Sequence, residues 1–272
     1  MINCKTVVRD LILFRSAYLY PMQKEILLKL AELEKQNDVR ILYACESGSR
    51  AWGFASPDSD FDVRFVYVQN RNKYLSIYEP RDVIEVPVNE ILDINGWDLR
   101  KALGLFRKSN APLYEWLQSP IVYRSDEKFA AEFRALMPAY FSMRAGFHHY
   151  FSMARNAFEN DLQGELVRIK KYFYALRPLL AASWIIEKQE VPPMEFEPLR
   201  GIIKDPVVQH AIDQLLELKK TSNEKTTIAP LPELQFFLAE NLLRCKAEGE
   251  TLLPNNGDTA VLDSFFRSWL TV

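Results

Sequence analysis

The spacing of hydrophobic positions changes along the chain. Over residues 22–35, apolar residues recur every three or four positions between lysines and glutamates, which predicts an amphipathic helix. Short apolar runs at 39–45 and 61–68, rich in β-branched and aromatic residues, predict two strands. Residues 82–88 and 90–95 predict two further strands, which we expect to form a hairpin.

The pattern becomes helical after Trp97. Leu99, Ala102 and Phe106 have helical spacing, and the polar stretch 219–227 is typical of a linker. We therefore predict an α/β fold of the α+β kind, with a small mixed sheet followed by a mainly helical C-terminal region. We expect one domain over residues 1–120 and a second, helical domain over 121–272. The long helices expected in the second domain are 141–161, 166–188, 206–220 and 231–247.

Composition excludes several classes of protein. The chain has 272 residues, 48% hydrophobic and 26% charged, as in ordinary globular proteins of one large or two small domains. A net charge of −2 argues against coating nucleic acid through bulk positive charge, although it allows a local basic groove. The three cysteines are too scattered for a disulfide framework or paired metal ligands. Apolar stretches are short or interrupted by charges, so we expect a cytoplasmic protein without a membrane partner.

Two carboxylates lie two positions apart at the start of the second predicted strand. Alternate residues of a strand point to opposite faces, so Asp60, Asp62 and Arg64 share one face, while Phe61 and Val63 face the core. Two carboxylates on one face can share divalent metal ions. Mg²⁺ prefers hard oxygen ligands of this kind. Alone, this spacing usually means a solvated strand face.

A Gly-Ser pair follows the first predicted strand. Gly48 lets the backbone approach a phosphate closely, and the Ser49 hydroxyl and the amides of a short helix after it can donate to phosphate oxygens. Arg50 either contacts phosphate as well or pairs with Glu46. A Gly-Ser pair alone is often only a turn, but its combination with Asp60 after ten intervening residues is far more specific.

The stretch from Glu46 to Arg64 resembles the signature of the DNA polymerase β superfamily of nucleotidyltransferases. It is most similar to one branch, the uncharacterised bacterial family of predicted nucleotidyltransferases that includes the RNA-ligase-associated members. The resemblance continues through 93–101, 115–117 and 170–172. It implies transfer of a nucleoside monophosphate, with ATP as the expected donor and two Mg²⁺ or Mn²⁺ ions as cofactors.

The resemblance also implies roles for individual residues. Asp60 and Asp62 hold the metal ions, and a third carboxylate comes from a later strand. We choose Asp93 for this third metal-binding and catalytic position, with Glu85 as the alternative. Asp98 either belongs to the site or caps the helix after it, where a carboxylate offsets the helix dipole.

Remaining roles follow from the same resemblance. Gly48 and Ser49 hold the β and γ phosphates, and Arg50 and Lys171 bind the nucleotide. Lys171 and the neighbouring Lys170 can equally lie on a solvated basic helix face. The helical domain closes the nucleotide cleft.

The acceptor is left open among an RNA end, a protein and a small molecule. Two other functions are alternatives to this interpretation. The protein can be a catalytically silent nucleotide sensor or partner of an RNA-processing enzyme, which loss of a carboxylate would favour. It can also be an antitoxin-type transferase that adds AMP to a protein.

Overall fold

A computed structural model describes residues 22–86, 91–255 and 257–270. Its centre is a five-stranded sheet in the order β3-β4-β2-β1-β5. Strands β2 and β4 are parallel and the other neighbours are antiparallel, which confirms the predicted mixed sheet and the β3–β4 hairpin. The strands are β1 (Val39–Glu46), β2 (Phe61–Gln69), β3 (Val83–Glu85), β4 (Leu92–Asp98) and β5 (Val122–Ser125).

The two faces of the sheet pack against different parts of the chain. Helix α1, over residues 22–37, covers one face, where Ile26 and Leu30 join the core with Val63 and Phe65. On the other face, Val66 belongs to the core formed with the C-terminal helices. Because side chains alternate along β2, its polar positions face the helical region rather than α1.

Helices follow and connect the strands. Within the described ranges, the early helices are α2 (Gly48–Trp52), α3 (Arg71–Tyr74), α4 (Leu99–Arg107), α5 (Ala111–Leu117) and α6 (Glu127–Tyr140). The later ones are α7 (Met143–Asp161), α8 (Ile169–Lys188), α9 (Phe196–Arg200), α10 (Pro206–Thr221), α11 (Pro232–Glu248), a 3₁₀ turn (Gly249–Thr251) and α12 (Thr259–Trp269). All four long helices expected in the C-terminal region are present. No helix in the described part of the chain is long and apolar enough to cross a membrane.

Strand β5 was not predicted from the sequence. It is a short edge strand whose residues are exposed or half-buried, so it lacks the apolar alternation that indicates a strand. It pairs with β1 although it lies beyond residue 120. The division into domains at residue 120 stays a prediction.

The prediction that 219–227 is a linker is wrong. Helix α10 continues to Thr221, and Thr227–Ile228 forms strand β7, which pairs with β6 (Val167–Arg168) in a two-stranded sheet. The Glu224 carboxylate between them contacts four side chains, those of Ser56, Ser59, Lys170 and Lys219. One of the polar residues that suggested a solvated linker, Glu224, is instead the partner of the buried Lys219.

Candidate active site

Asp62 and Asp93 lie opposite each other on neighbouring parallel strands. The β2–β4 register pairs these two residues, so their side chains emerge on the same face. Arg64, two residues after Asp62, bridges them. Its Nη2 lies 3.1 Å from Asp62 Oδ1 and 2.7 Å from Asp93 Oδ2. The structure thus brings together two of the three predicted carboxylates, with a cation between them.

The third predicted carboxylate, Asp60, is exposed just before β2. Arg50 fixes its position, because the guanidinium donates to the backbone oxygens of Asp60, at 2.9 Å, and of Ser59. The same guanidinium lies 3.8 Å from the centre of the Phe61 ring. Arg50 therefore organises the loop that carries Asp60. This contact was not among the two roles that the sequence suggested for Arg50.

Gly48 is in direct contact with the carboxylate of Asp62. Its φ is +60°, a conformation that favours glycine, and a Cβ built on it would lie 2.1 Å from Asp62 Oδ2. Ser47 N donates to the backbone oxygen of Asp62 at 2.8 Å. Ser49 is the next residue along α2. The Gly-Ser pair and the carboxylates are therefore parts of one site.

Glu46, at the end of β1, was not predicted to take part. It is fully buried, its Oε1 accepts from Asp62 N at 2.7 Å, and Tyr123 donates its hydroxyl proton to Oε2. Burial raises the pKa of Glu46 to about 7, although the Tyr123 hydrogen bond opposes this rise. Its position directly before Ser-Gly-Ser was the only sequence signal. Glu46 positions the backbone of Asp62.

The charges around Asp62 bear on metal binding. Burial raises the pKa of Asp62, Arg64 lowers it, and the nearby Asp93 and Asp60 carboxylates raise it again. Hard oxygen donors of this kind suit Mg²⁺. However, no group of three His, Cys, Asp or Glu side chains among the described residues is arranged to hold a metal ion as it stands. The donor chemistry fits a divalent ion, but Arg64 would have to leave its position between the carboxylates.

Two other acidic residues lie outside this contact. Glu85 on β3 accepts from Asn95 at 3.2 Å and is separated from β2 by the whole of β4. Asp98 caps helix α4, since its side chain accepts from Arg100 N at 2.8 Å. Its other oxygen accepts from the Tyr74 hydroxyl at 2.6 Å. The structure thus places Asp93, and not Glu85, beside Asp62, and shows Asp98 as a buried cap.

The first turn of helix α8 carries the two lysines that the sequence suggested for nucleotide binding. Lys170 Nζ lies 2.8 Å from Glu224 Oε2, while Lys171 Nζ lies 2.9 Å from Asp161 Oδ2 on α7. Neither lysine belongs to a freely solvated basic face, because both are engaged in ion pairs. The predicted role of Lys171 in nucleotide binding stays a prediction.

A polar network joins the loop before β2 to the helical region. Glu224 accepts from the Ser59 hydroxyl at 2.9 Å, and its backbone N–H donates to Asp58. The buried Lys219 donates to the Ser56 hydroxyl at 2.6 Å. These contacts join residues about 165 positions apart in the chain, so no local pattern could have revealed them. The network holds the loop that leads into Asp60.

Comparison with known proteins identifies the family of the chain. The model of the RNA repair pathway DNA polymerase β family matches residues 22–268. The chain is 43% identical over 238 residues to the uncharacterized protein YcgL of Bacillus subtilis strain 168, covering 87% of this chain and 92% of that protein. It also has a low likeness, with a TM-score of 0.31 and 15% identity, to a nucleotidyltransferase-like protein from Exiguobacterium sibiricum 255-15, covering 85% of this chain and 75% of that one. The chain belongs to the RNA repair pathway DNA polymerase β family, within the polymerase β superfamily of nucleotidyltransferases.

Proposed function

We propose that the protein transfers a nucleoside monophosphate from ATP to a hydroxyl group at an RNA end. The observation that carries this proposal is the contact of Gly48 with Asp62, opposite Asp93, because it joins a phosphate-binding turn to a pair of carboxylates. The family description, which refers to an RNA repair pathway, supports RNA over a protein or a small molecule as the acceptor.

Divalent ions are part of this proposal. Asp60 and Asp62 would hold two Mg²⁺ or Mn²⁺ ions, with Asp93 as the third carboxylate. When bound, such ions neutralise the triphosphate and make its α-phosphorus more susceptible to attack. Arg64 would then exchange its ion pairs with Asp62 and Asp93 for contacts with the substrate.

The protein's own groups position the reactants. Because Gly48 has no side chain, the backbone of its turn lies directly against Asp62 and brings the β and γ phosphates beside that carboxylate, and the Ser49 hydroxyl donates to a phosphate oxygen. Glu46 and Arg50 hold the backbone around the two aspartates, so the carboxylates are oriented before substrate arrives. Asp93 accepts the proton of the attacking hydroxyl. A bond forms between that oxygen and the α-phosphorus, the bond to the β-phosphate oxygen breaks, and pyrophosphate leaves.

A second candidate function is nucleotide binding without transfer. The ion pairs of Arg64 with both Asp62 and Asp93 favour it, because an arginine that stays between the carboxylates would keep metal ions out. Such a protein would be a sensor or a partner of an RNA-processing enzyme. The expected location of the protein in the cytoplasm stays a prediction under either function.

The test is to incubate the protein with Mg²⁺ and ATP labelled at the α or the γ position, together with RNA oligonucleotides or a cell extract. Transfer predicts that only the α label moves to the RNA and that pyrophosphate appears. Label on a protein fraction instead would support the AMP-transferase alternative. Tight Mg²⁺-dependent ATP binding without movement of label would support the sensor, and absence of binding would contradict both.

A further inference from the structure

A cavity of about 450 Å³ lies between α2, α7 and α8. Trp52 and Tyr174 form an aromatic wall, with ring centroids 6.1 Å apart and ring planes nearly perpendicular. Asn156 and Asn160, one turn apart on α7, line the cavity with side chains that carry amides. The volume is within the range of small-molecule sites, and apolar walls with few polar groups are typical of them.

Buried charges hold Trp52 in place. Its indole nitrogen donates to Glu115 Oε2 at 3.1 Å, and the Arg177 guanidinium lies 4.5 Å from the indole ring centroid. Arg177 is itself 2% exposed and pairs with Glu115 at 3.0 Å. Trp52 is therefore held in place before any ligand binds, which lowers the cost of ordering this side of the cavity on binding.

The cavity adjoins the candidate active site. Helix α2 begins at Gly48, against Asp62, and ends at Trp52, so its ends are only about 6 Å apart at 1.5 Å per residue. The pKa of Tyr174 is raised, mainly by burial; Lys170 lowers it, and Glu224, Asp62 and Asp60 raise it further. The Tyr174 phenol thus lies in the electrostatic field of the catalytic carboxylates. The cavity therefore begins within one short helix of Asp62.

We propose that this cavity binds the adenine ring of the nucleoside triphosphate. The base stacks on the Tyr174 ring, with Trp52 at the perpendicular side of the cavity, and its polar edge meets the Asn156 amide. A side-chain amide offers one donor and one acceptor, which match the N7 acceptor and the N6 donor of adenine. The Asn156 amide has no hydrogen-bond partner among the described residues, so it is available for this contact. This inference rests on the proposed function.

The test compares ATP with inorganic tripolyphosphate, which has no base. Binding of each would be measured calorimetrically with Mg²⁺ for wild type, Tyr174→Ala and Tyr174→Phe. We expect Tyr174→Ala to bind ATP roughly 5- to 150-fold more weakly, the range for losing one base–aromatic stack, and to bind tripolyphosphate as wild type does. Tyr174→Phe keeps the ring and should match wild type. Tyr78→Ala removes another exposed tyrosine, outside the cavity, and should also match wild type.

A second variant tests the choice of base. Asn156→Ala should lower the ratio of the ATP affinity to the GTP affinity without changing the affinity for tripolyphosphate. Equal ATP affinity in wild type, Tyr174→Ala and Asn156→Ala would overturn the inference, as would a loss confined to binding of an RNA oligonucleotide. Failure of the proposed function has a different signature, because the wild-type protein would then move no α label from ATP to RNA, whatever the effect of Tyr174→Ala on ATP binding.

Discussion

Asp62 on β2 lies opposite Asp93 on β4, and Arg64 is ion-paired with both carboxylates. The parallel register places these side chains on the face that the helical region covers, and α1 covers the other face. The acidic pair is thus held between the sheet and the helices. Both strands are anchored by cores on both sides of the sheet, which is the rigid support that a reaction controlled by positioning requires.

Replacing Gly48 by alanine should abolish ATP binding. The new Cβ would lie 2.1 Å from Asp62 Oδ2, and the positive φ adds roughly 1–2 kcal/mol of strain. Gly53→Ala is the matched control, because Gly53 also has a positive φ but no atom lies within 4 Å of a Cβ built there. Both variants should lose stability in urea unfolding, Gly48→Ala the more because of its contact with Asp62, and only folded Gly48→Ala protein should lose ATP binding in calorimetry. Equal ATP affinity in the two variants would contradict the phosphate-binding role proposed for Gly48.

Glu46→Gln should change how stability depends on pH. The folded-state pKa of Glu46 is about 7 against an ordinary value of 4.5, so the folded protein keeps a proton that the unfolded chain releases. Glu46 therefore lowers the free energy of unfolding as pH rises from about 4.5 to about 7, by roughly 3 kcal/mol in total. The glutamine variant should lose this part of the pH dependence. Urea unfolding of both proteins at pH 5 and pH 8 would check this prediction. An equal change in unfolding free energy between the two pH values for wild type and Glu46→Gln would refute it.

Breaking the buried ion pair of Glu115 and Arg177 should lower the free energy of unfolding. Glu115→Ala would leave Arg177 buried without an anion and remove the acceptor of Trp52 and Tyr150, which should cost roughly 3–5 kcal/mol. Replacing both Glu115 and Arg177 by apolar residues should recover part of this loss. Glu248→Ala, which breaks a more exposed pair, should cost about 1 kcal/mol or less. Thermal and urea unfolding would compare the variants. Equal losses of unfolding free energy in Glu115→Ala and Glu248→Ala would contradict this interpretation.

Glu224→Ala should weaken nucleotidyl transfer as well as stability. It removes the partner of Lys170 and of the buried Lys219, and frees the loop that leads into Asp60. We expect a loss of roughly 3 kcal/mol in unfolding free energy, because the buried Lys219 loses its ion-pair partner. Glu217→Ala breaks an exposed pair nearby and should change neither quantity. Transfer at the wild-type rate by folded Glu224→Ala protein would show that the network is structural only.

Local patterns predicted the parts of the site that depend on neighbours in sequence. Alternation along β2 correctly placed Phe61 and Val63 in the core and Asp62 and Arg64 on the other face. The same patterns could not reveal that Arg64 also pairs with Asp93, because this contact depends on the register of two strands. Glu224 lies far from the loop in sequence and looked like part of a linker.

The most direct test of the central claim is the rate of label transfer from α-labelled ATP to RNA by four proteins at saturating Mg²⁺. These are wild type, Asp62→Asn, Asp93→Asn and Glu85→Gln, the last being the acidic residue one strand further from Asp62. We predict losses of at least about 100-fold for Asp62→Asn and Asp93→Asn, since each removes a charge from the reacting centre, and near wild-type transfer for Glu85→Gln. Transfer that survives in Asp62→Asn, or that depends on Glu85 and not on Asp93, would contradict the site described here.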